Sequence, residues 1–191
     1  MKKERIILSV LILTILFTIP SFGNTPFKME DSSENLKLYM EKLQLCIKTG
    51  DIKNGASMTK ALIPDSSRIA YGLNKKVTKE TKKAIADFFK KVVPNDPKKV
   101  SQLFKTNPKR TQVLVHRAKG TEIAKNEKGS IVWKEFPGGA VSAAKKYLNP
   151  KLYFYEIELL EPGDSRGTKY HLFYFDGKNW TMFGPLWRSL K

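Results

Sequence analysis

The 191-residue sequence predicts an α+β fold in which N-terminal helices pack on one face of a curved, cone-like antiparallel sheet. Three observations predict it. Apolar residues recur at helical spacing through the first half of the chain. Strand-like alternation and aromatic or β-branched runs fill the second half. Turn formers then cut residues 152–187 into a three-stranded meander.

In chain order, the start is set apart from the fold. Lys2, Lys3 and Arg5 form a basic stretch before the apolar run at 6–19. Pro20 breaks that run, and Ser21-Phe22-Gly23 offers small residues at the positions a signal peptidase reads. The expectation is a secretory signal peptide over 1–23, a single α+β domain over 24–191, and a periplasmic or extracellular location. The apolar run is short for a membrane span, so no transmembrane helix is expected after cleavage.

Asp31 and Glu34 have capping-box spacing ahead of a helix. Its stripe is Leu36, Tyr39, Met40, Leu43, Cys46 and Ile47, and Gly50 stops it. Asp51 caps a second helix that Pro64 closes, and residues 65–73 hold a short third. Thr78 begins the clearest helix, with Ile85, Phe88, Phe89 and Val92 on one side and Lys79, Lys83 and Lys90 roughly opposite. Asp96-Pro97 supplies a cap and an N1 proline for a short helix.

After Asn107-Pro108 the pattern changes. Residues 111–118 alternate as a strand, and Ile131-Val132-Trp133 starts another. Residues 140–148 are helical in pattern. In 152–160 one face carries Tyr153, Tyr155, Ile157 and Leu159; the other carries Phe154, Glu156, Glu158 and Leu160. In 169–175 regular alternation puts Tyr170, Leu172 and Tyr174 together, and Lys169, His171, Phe173 and Phe175 opposite. Asp176-Gly177 turns into a last strand from Trp180. The register decides the chemistry. If Glu161 pairs with Thr168, Glu158 lies opposite His171; if Leu160 pairs with Thr168, His171 leaves the glutamate face.

The formal charge of +17 favours anionic partners. Yet 29 of the 35 basic residues are lysine, a hydrated point charge, where planar recognition of phosphate favours arginine. Nucleic-acid binding is disfavoured, because the phenylalanines of the basic helix fall on its buried side. With one cysteine, two histidines and no His-x-x-x-His or Cys-x-x-Cys spacing, no metal centre is expected. Walker A, G-x-G-x-x-G and G-x-S-x-G patterns are absent, so no cofactor is expected and a serine-nucleophile system has no support. One cluster has proton-transfer chemistry: Glu156, Glu158 and His171, with Tyr155 and Tyr174 nearby.

Helices followed by a long meander resemble the nuclear transport factor 2-like cone fold, which includes ketosteroid isomerase-like proteins. That resemblance implies a small ligand inside the sheet. The isomerase-like members use an acidic base and acidic hydrogen-bond donors, but no such motif maps onto this chain, so no catalytic residue is carried over. Glu135-Phe136-Pro137-Gly138-Gly139, Phe154-Tyr155-Glu156-Ile157-Glu158, Glu161-Pro162-Gly163, Phe173-Tyr174-Phe175-Asp176-Gly177 and Pro185-Leu186-Trp187-Arg188 resemble a group of uncharacterised exported bacterial proteins. This second resemblance spans residues 130–190 and implies export without implying an activity.

The expected function is a non-enzymatic binding module, taking a small ligand in the concavity or an anionic surface on Lys79, Lys83 and Lys90. The alternative is an enzyme with a Glu/His acid–base site. The catalytic residues, if any, and the oligomeric state stay open.

Overall fold

The computed structural model describes residues 29–190; the signal peptide expected over 1–23 lies outside them. The first helix, α1 (Ser33–Thr49), is capped by Ser32, whose Oγ accepts from the Asn35 N–H, and not by Asp31 as its spacing suggested. Asp31 is drawn away by tertiary structure: its carboxylate accepts from the Tyr155 hydroxyl at 2.6 Å. Gly50 ends α1 with φ 73°, the left-handed conformation that satisfies the last carbonyls.

The next helices start where their caps are. Asp51 caps α2 (Ile52–Leu62), Asp65 caps α3 (Ser66–Gly72), and Thr78 caps α4 (Lys79–Val92). On α4, Ile85 and Phe89 are buried, whereas Val92, the last residue of the helix, is exposed. Asp96 caps the short α5 (Pro97–Ser101).

Strand β1 (Gln112–Lys119) leads straight into α6 (Gly120–Lys125). The expected strand at 131–133 is instead a helical turn, α7 (Ile131–Glu135). Its residue types favour strands, but Ser130 caps it and Val132 is drawn into the core. There follow α8 (Gly138–Lys146), β2 (Tyr153–Leu160), β3 (Thr168–Phe175) and β4 (Trp180–Met182). A 3₁₀ turn at Leu186–Ser189 closes the described chain.

The four strands form one open antiparallel sheet in sequence order, β1-β2-β3-β4. Its helices cover both faces, not one. Tyr155, Ile157, Leu159, Phe173 and Trp180 join Leu36, Met40, Leu43, Leu62 and Phe104 on the α1/α2 side. Phe154, Leu172, Tyr174 and Phe183 join Ile69, Ile85, Phe89, Ala140 and Leu148 on the α3/α4/α8 side. The N-terminal helices therefore divide between the faces, and seven of the eight residues of β2 are buried.

The β2–β3 register is neither alternative weighed from the sequence. Leu159 pairs with Thr168 and Glu158 with Lys169. Farther along, Ile157 pairs with Tyr170 but Tyr155 with Phe173, so β3 carries one extra residue in between. Leu172 takes φ 53° at this bulge. Regular alternation is broken there. Tyr170 and Phe173 face α1, while Leu172 and Tyr174 face the other layer.

Candidate functional site

Two polar rows cross the sheet on the face opposite α1. β1 places His116 opposite Glu156 and Leu114 opposite Glu158. β3 brings His171 to Glu156 and Lys169 to Glu158. The helical layer leaves this part of the sheet open, as a cleft of about 690 Å³. Leu114, His116, Glu158, Lys169 and His171 form its floor, and Lys134, Glu135, Ser165, Arg166 and Gly167 stand around it.

Glu156 is fully buried, and its Oε2 shares a hydrogen bond with His171 Nδ1. Its Oε1 accepts the Leu172 N–H at 3.2 Å. Burial raises the Glu156 carboxyl above its ordinary range, against the opposing pull of His171. One proton lies between the two groups, on Nδ1 or on the carboxyl. His171 Nε2 has no protein partner among the described residues, and the side chain is a quarter exposed to the cleft.

Two glycines let the imidazole be held this closely. A Cβ on Gly184 would stand 2.4 Å from the His171 carbonyl oxygen, and one on Gly139 would stand 2.5 Å from the Trp187 indole. Trp187 in turn packs against the His171 ring at a centroid distance of 5.7 Å. The chain thus fixes the imidazole from below by a carboxylate and from the side by an aromatic ring.

A second set surrounds Lys169. Its ammonium is 2.6 Å from Glu135 Oε2 and 3.8 Å from Glu158 Oε2. Glu158 Oε1 accepts the Gly167 N–H, which ties the β2–β3 connection to the site. His116 Nε2 lies 3.5 Å from Glu135 Oε2 without hydrogen-bond geometry and is buried without another partner among the described residues. Burial works to raise the Glu135 carboxyl, but the Lys169 hydrogen bond and the charges around it prevail and hold it below its ordinary value. His116, Glu135 and Glu158 each place a ligand-type atom within 4.8 Å of the others, the one such group among the described residues.

Of the residues singled out from the sequence, Glu156, Glu158 and His171 are brought together. Glu156, rather than Glu158, is the partner of His171. Tyr155 and Tyr174 are not part of the cleft. Tyr155 faces α1 and bonds Asp31, while Tyr174 donates to the Arg68 carbonyl oxygen. Burial raises both phenols. Sequence reasoning missed His116, Glu135, Lys169 and Arg166. The alternation of β1 already set His116 beside Leu114, but only the β1–β2 pairing shows that it faces the glutamates. Glu135 was hidden in a segment taken for a strand.

Lys79, Lys83 and Lys90 are exposed on α4 and, with Lys82, line a shallow groove of about 410 Å³ against Ser66 and Ile69 of α3. Lys83 pairs with Asp87 at 2.6 Å, which offsets part of that charge. No helix among the described residues is long and apolar enough to cross a membrane.

No family model, curated protein or solved structure matches the chain.

Proposed function

We propose that this chain is an exported protein that binds a small anionic molecule in the cleft over β1, β2 and β3, and that His171 exchanges a proton with the bound molecule. Export rests on the basic, apolar and small-residue pattern of residues 1–23. The observation that carries the rest is the buried Glu156 holding His171 by Nδ1, which leaves Nε2 free in an open cleft. A carboxylate removed from water to orient one imidazole serves proton transfer; a surface that only adheres has no use for it. Lys134 and the exposed Arg166 stand at the rim and supply the attraction for an anion. The arginine fork suits a carboxylate or phosphate ester.

The chain has only two histidines, and both line the cleft. Proton NMR of the imidazole rings therefore reports on this site alone. A panel of small carboxylates and phosphate esters is screened against the His171 ring signal. The expected hits move it, and Arg166→Ala weakens them. If no member of the panel moves either ring, the reading fails. Each hit is then incubated in D₂O. Deuterium entering the bound compound marks an acid–base enzyme, and Glu156→Gln slows that exchange about 10- to 1,000-fold. Binding without exchange leaves a ligand-binding module, the reading first expected from composition.

A second reading rests on the groove beside α4, where four lysines meet. It predicts adhesion to anionic vesicles that falls steeply between low and physiological salt. Charge reversal at Lys79, Lys83 and Lys90 abolishes that adhesion while leaving cleft binding intact. Adhesion that survives the triple reversal removes this reading.

A further inference from the structure

We propose that His116, Glu135 and Glu158 form a binding site for one divalent transition-metal ion of the zinc class, with Lys169 as its built-in competitor. The inference goes beyond the proton-transfer reading and does not depend on it, since it uses neither His171 nor Glu156.

Spacing along the chain gave no hint of the site, because its three residues come from β1, α7 and β2. Zinc bonds to imidazole nitrogen and carboxylate oxygen are about 2.0–2.2 Å, so two ligands of one tetrahedral ion sit about 3.3 Å apart. His116 Nε2 and Glu135 Oε2 are 3.5 Å apart and do not hydrogen-bond each other. That separation is too long for a good hydrogen bond, and it is what a shared ion imposes. The third ligand-type atom, from Glu158, lies within 4.8 Å of both, so a side-chain adjustment of at most about 1.5 Å closes the set.

The orphaned Nε2 is the second, independent sign. Leaving a buried imidazole nitrogen without a partner costs its desolvation with no hydrogen bond in return. Glu135, the nearest acceptor, accepts from the Lys169 ammonium instead. An ion satisfies Nε2 and both carboxylates together. Glu158 is also braced as a ligand should be, with its Oε1 already held by the Gly167 N–H. The open side of the cleft leaves room for water to complete the coordination shell.

Lys169 already occupies the charge position the ion would take. Its ammonium stands 2.6 Å from Glu135 Oε2 and 3.8 Å from Glu158 Oε2, where it neutralises the carboxylates an ion would use. Metal entry must displace it. The side chain is 30% exposed, so it can swing into the cleft without disturbing the core. One imidazole and two carboxylates suit Zn²⁺, Mn²⁺ or Fe²⁺ better than Ca²⁺ or Mg²⁺, which take all-oxygen shells. A chain of formal charge +17 also repels cations, so tight binding of one equivalent requires a specific site.

The test uses Zn²⁺ and Mn²⁺ as probes on the chain over residues 24–191, without other ligand. One equivalent of Zn²⁺ is expected to shift the His116 ring signal more than that of His171, and Mn²⁺ to broaden His116 first. By calorimetry, Glu135→Gln weakens Zn²⁺ at least tenfold and Lys169→Met tightens it at least tenfold. If Lys169→Met leaves the affinity unchanged or lowers it, the competitor argument is wrong and the proposal falls. It falls as well if Zn²⁺ moves neither imidazole in the wild-type chain, or moves His171 alone. Neither result bears on the carboxylate and phosphate panel, so failure here is separable from failure of the proton-transfer reading.

Discussion

At the scale of single residues, Glu156 and Glu135 should pull the stability curve in opposite directions. Burial raises the Glu156 carboxyl, so the native state holds more protons than the unfolded chain between the ordinary glutamate value and the raised one. Stability contributed by this group is present in acid and is lost as pH rises through that window. Glu135 is held low by Lys169, so its contribution is present above the ordinary value and is lost as pH falls below it. Urea denaturation from pH 4 to 8 should show the Glu156 decline, and Glu156→Gln should flatten it. A slope unchanged in that variant would mean that another group titrates there. Arg68 makes a different kind of prediction. It donates to Thr181 Oγ1, to the carbonyls of Ala61, Ile63 and Trp180, and pairs with Asp176 at 2.8 Å. Both side chains of the pair are largely buried, so Arg68→Ala strands a carboxylate and should cost about 3–5 kcal/mol. A loss under about 1 kcal/mol would reduce the network to surface decoration.

At the scale of elements, adjacent glycines at the start of α8 make a sharp comparison. Gly138 has open space where a Cβ would go and no positive φ, so Gly138→Ala should stabilise by about 0.4–1 kcal/mol. Gly139 meets the Trp187 ring, so Gly139→Ala should destabilise and release His171, seen as a moved ring signal. Equal thermal midpoints for the two variants would contradict the packing described. Elements also show where the sequence could be read. The caps at Asp51 and Asp96 and the helix start at Thr78 were legible because a side-chain oxygen two or three residues from its N–H is a local device, while the Asp65 cap was not picked out. The strand reading of 131–133 failed because Ile, Val and Trp carry β propensity, and five residues are too few for periodicity to oppose it. The β3 bulge had no local sign either. Leu172 is an ordinary strand residue whose positive φ is imposed by packing of its side chain against the α3/α4 layer.

For the whole molecule, the α+β class and the division into helices followed by a meander were legible, and the two-sided covering was not. The patterns of β1 and β2 told which residues share a face, and that of β3 failed at its bulge, but none told which helix covers a face. That depends on where the links after α2 and α5 run, and those links are irregular and carry no periodic pattern. The candidate site was half legible for the same reason. Glu156, Glu158 and His171 share a meander, while His116 and Glu135 arrive from distant segments. Covering both faces also predicts protection. Amides of β2, the central buried strand, should exchange with solvent only by global unfolding, whereas those of edge strand β1 should open locally. Exchange of β2 amides at the rate of β1 would contradict the layering.

Strand β2 sends Tyr155, Ile157 and Leu159 into one layer and turns Glu156 and Glu158 to the opposite face, where Glu158 lines the cleft and Glu156 holds His171. Foundation and workshop are thereby interleaved within a single eight-letter word. Replacing Glu158 redraws what the cleft can hold, while Tyr155, Ile157 and Leu159, with Phe154 on the other face, keep the fold intact. Descendants of such a chain can trade one ligand for another by small edits, with foldability inherited unchanged. A shift of the frame by one letter would destroy both together.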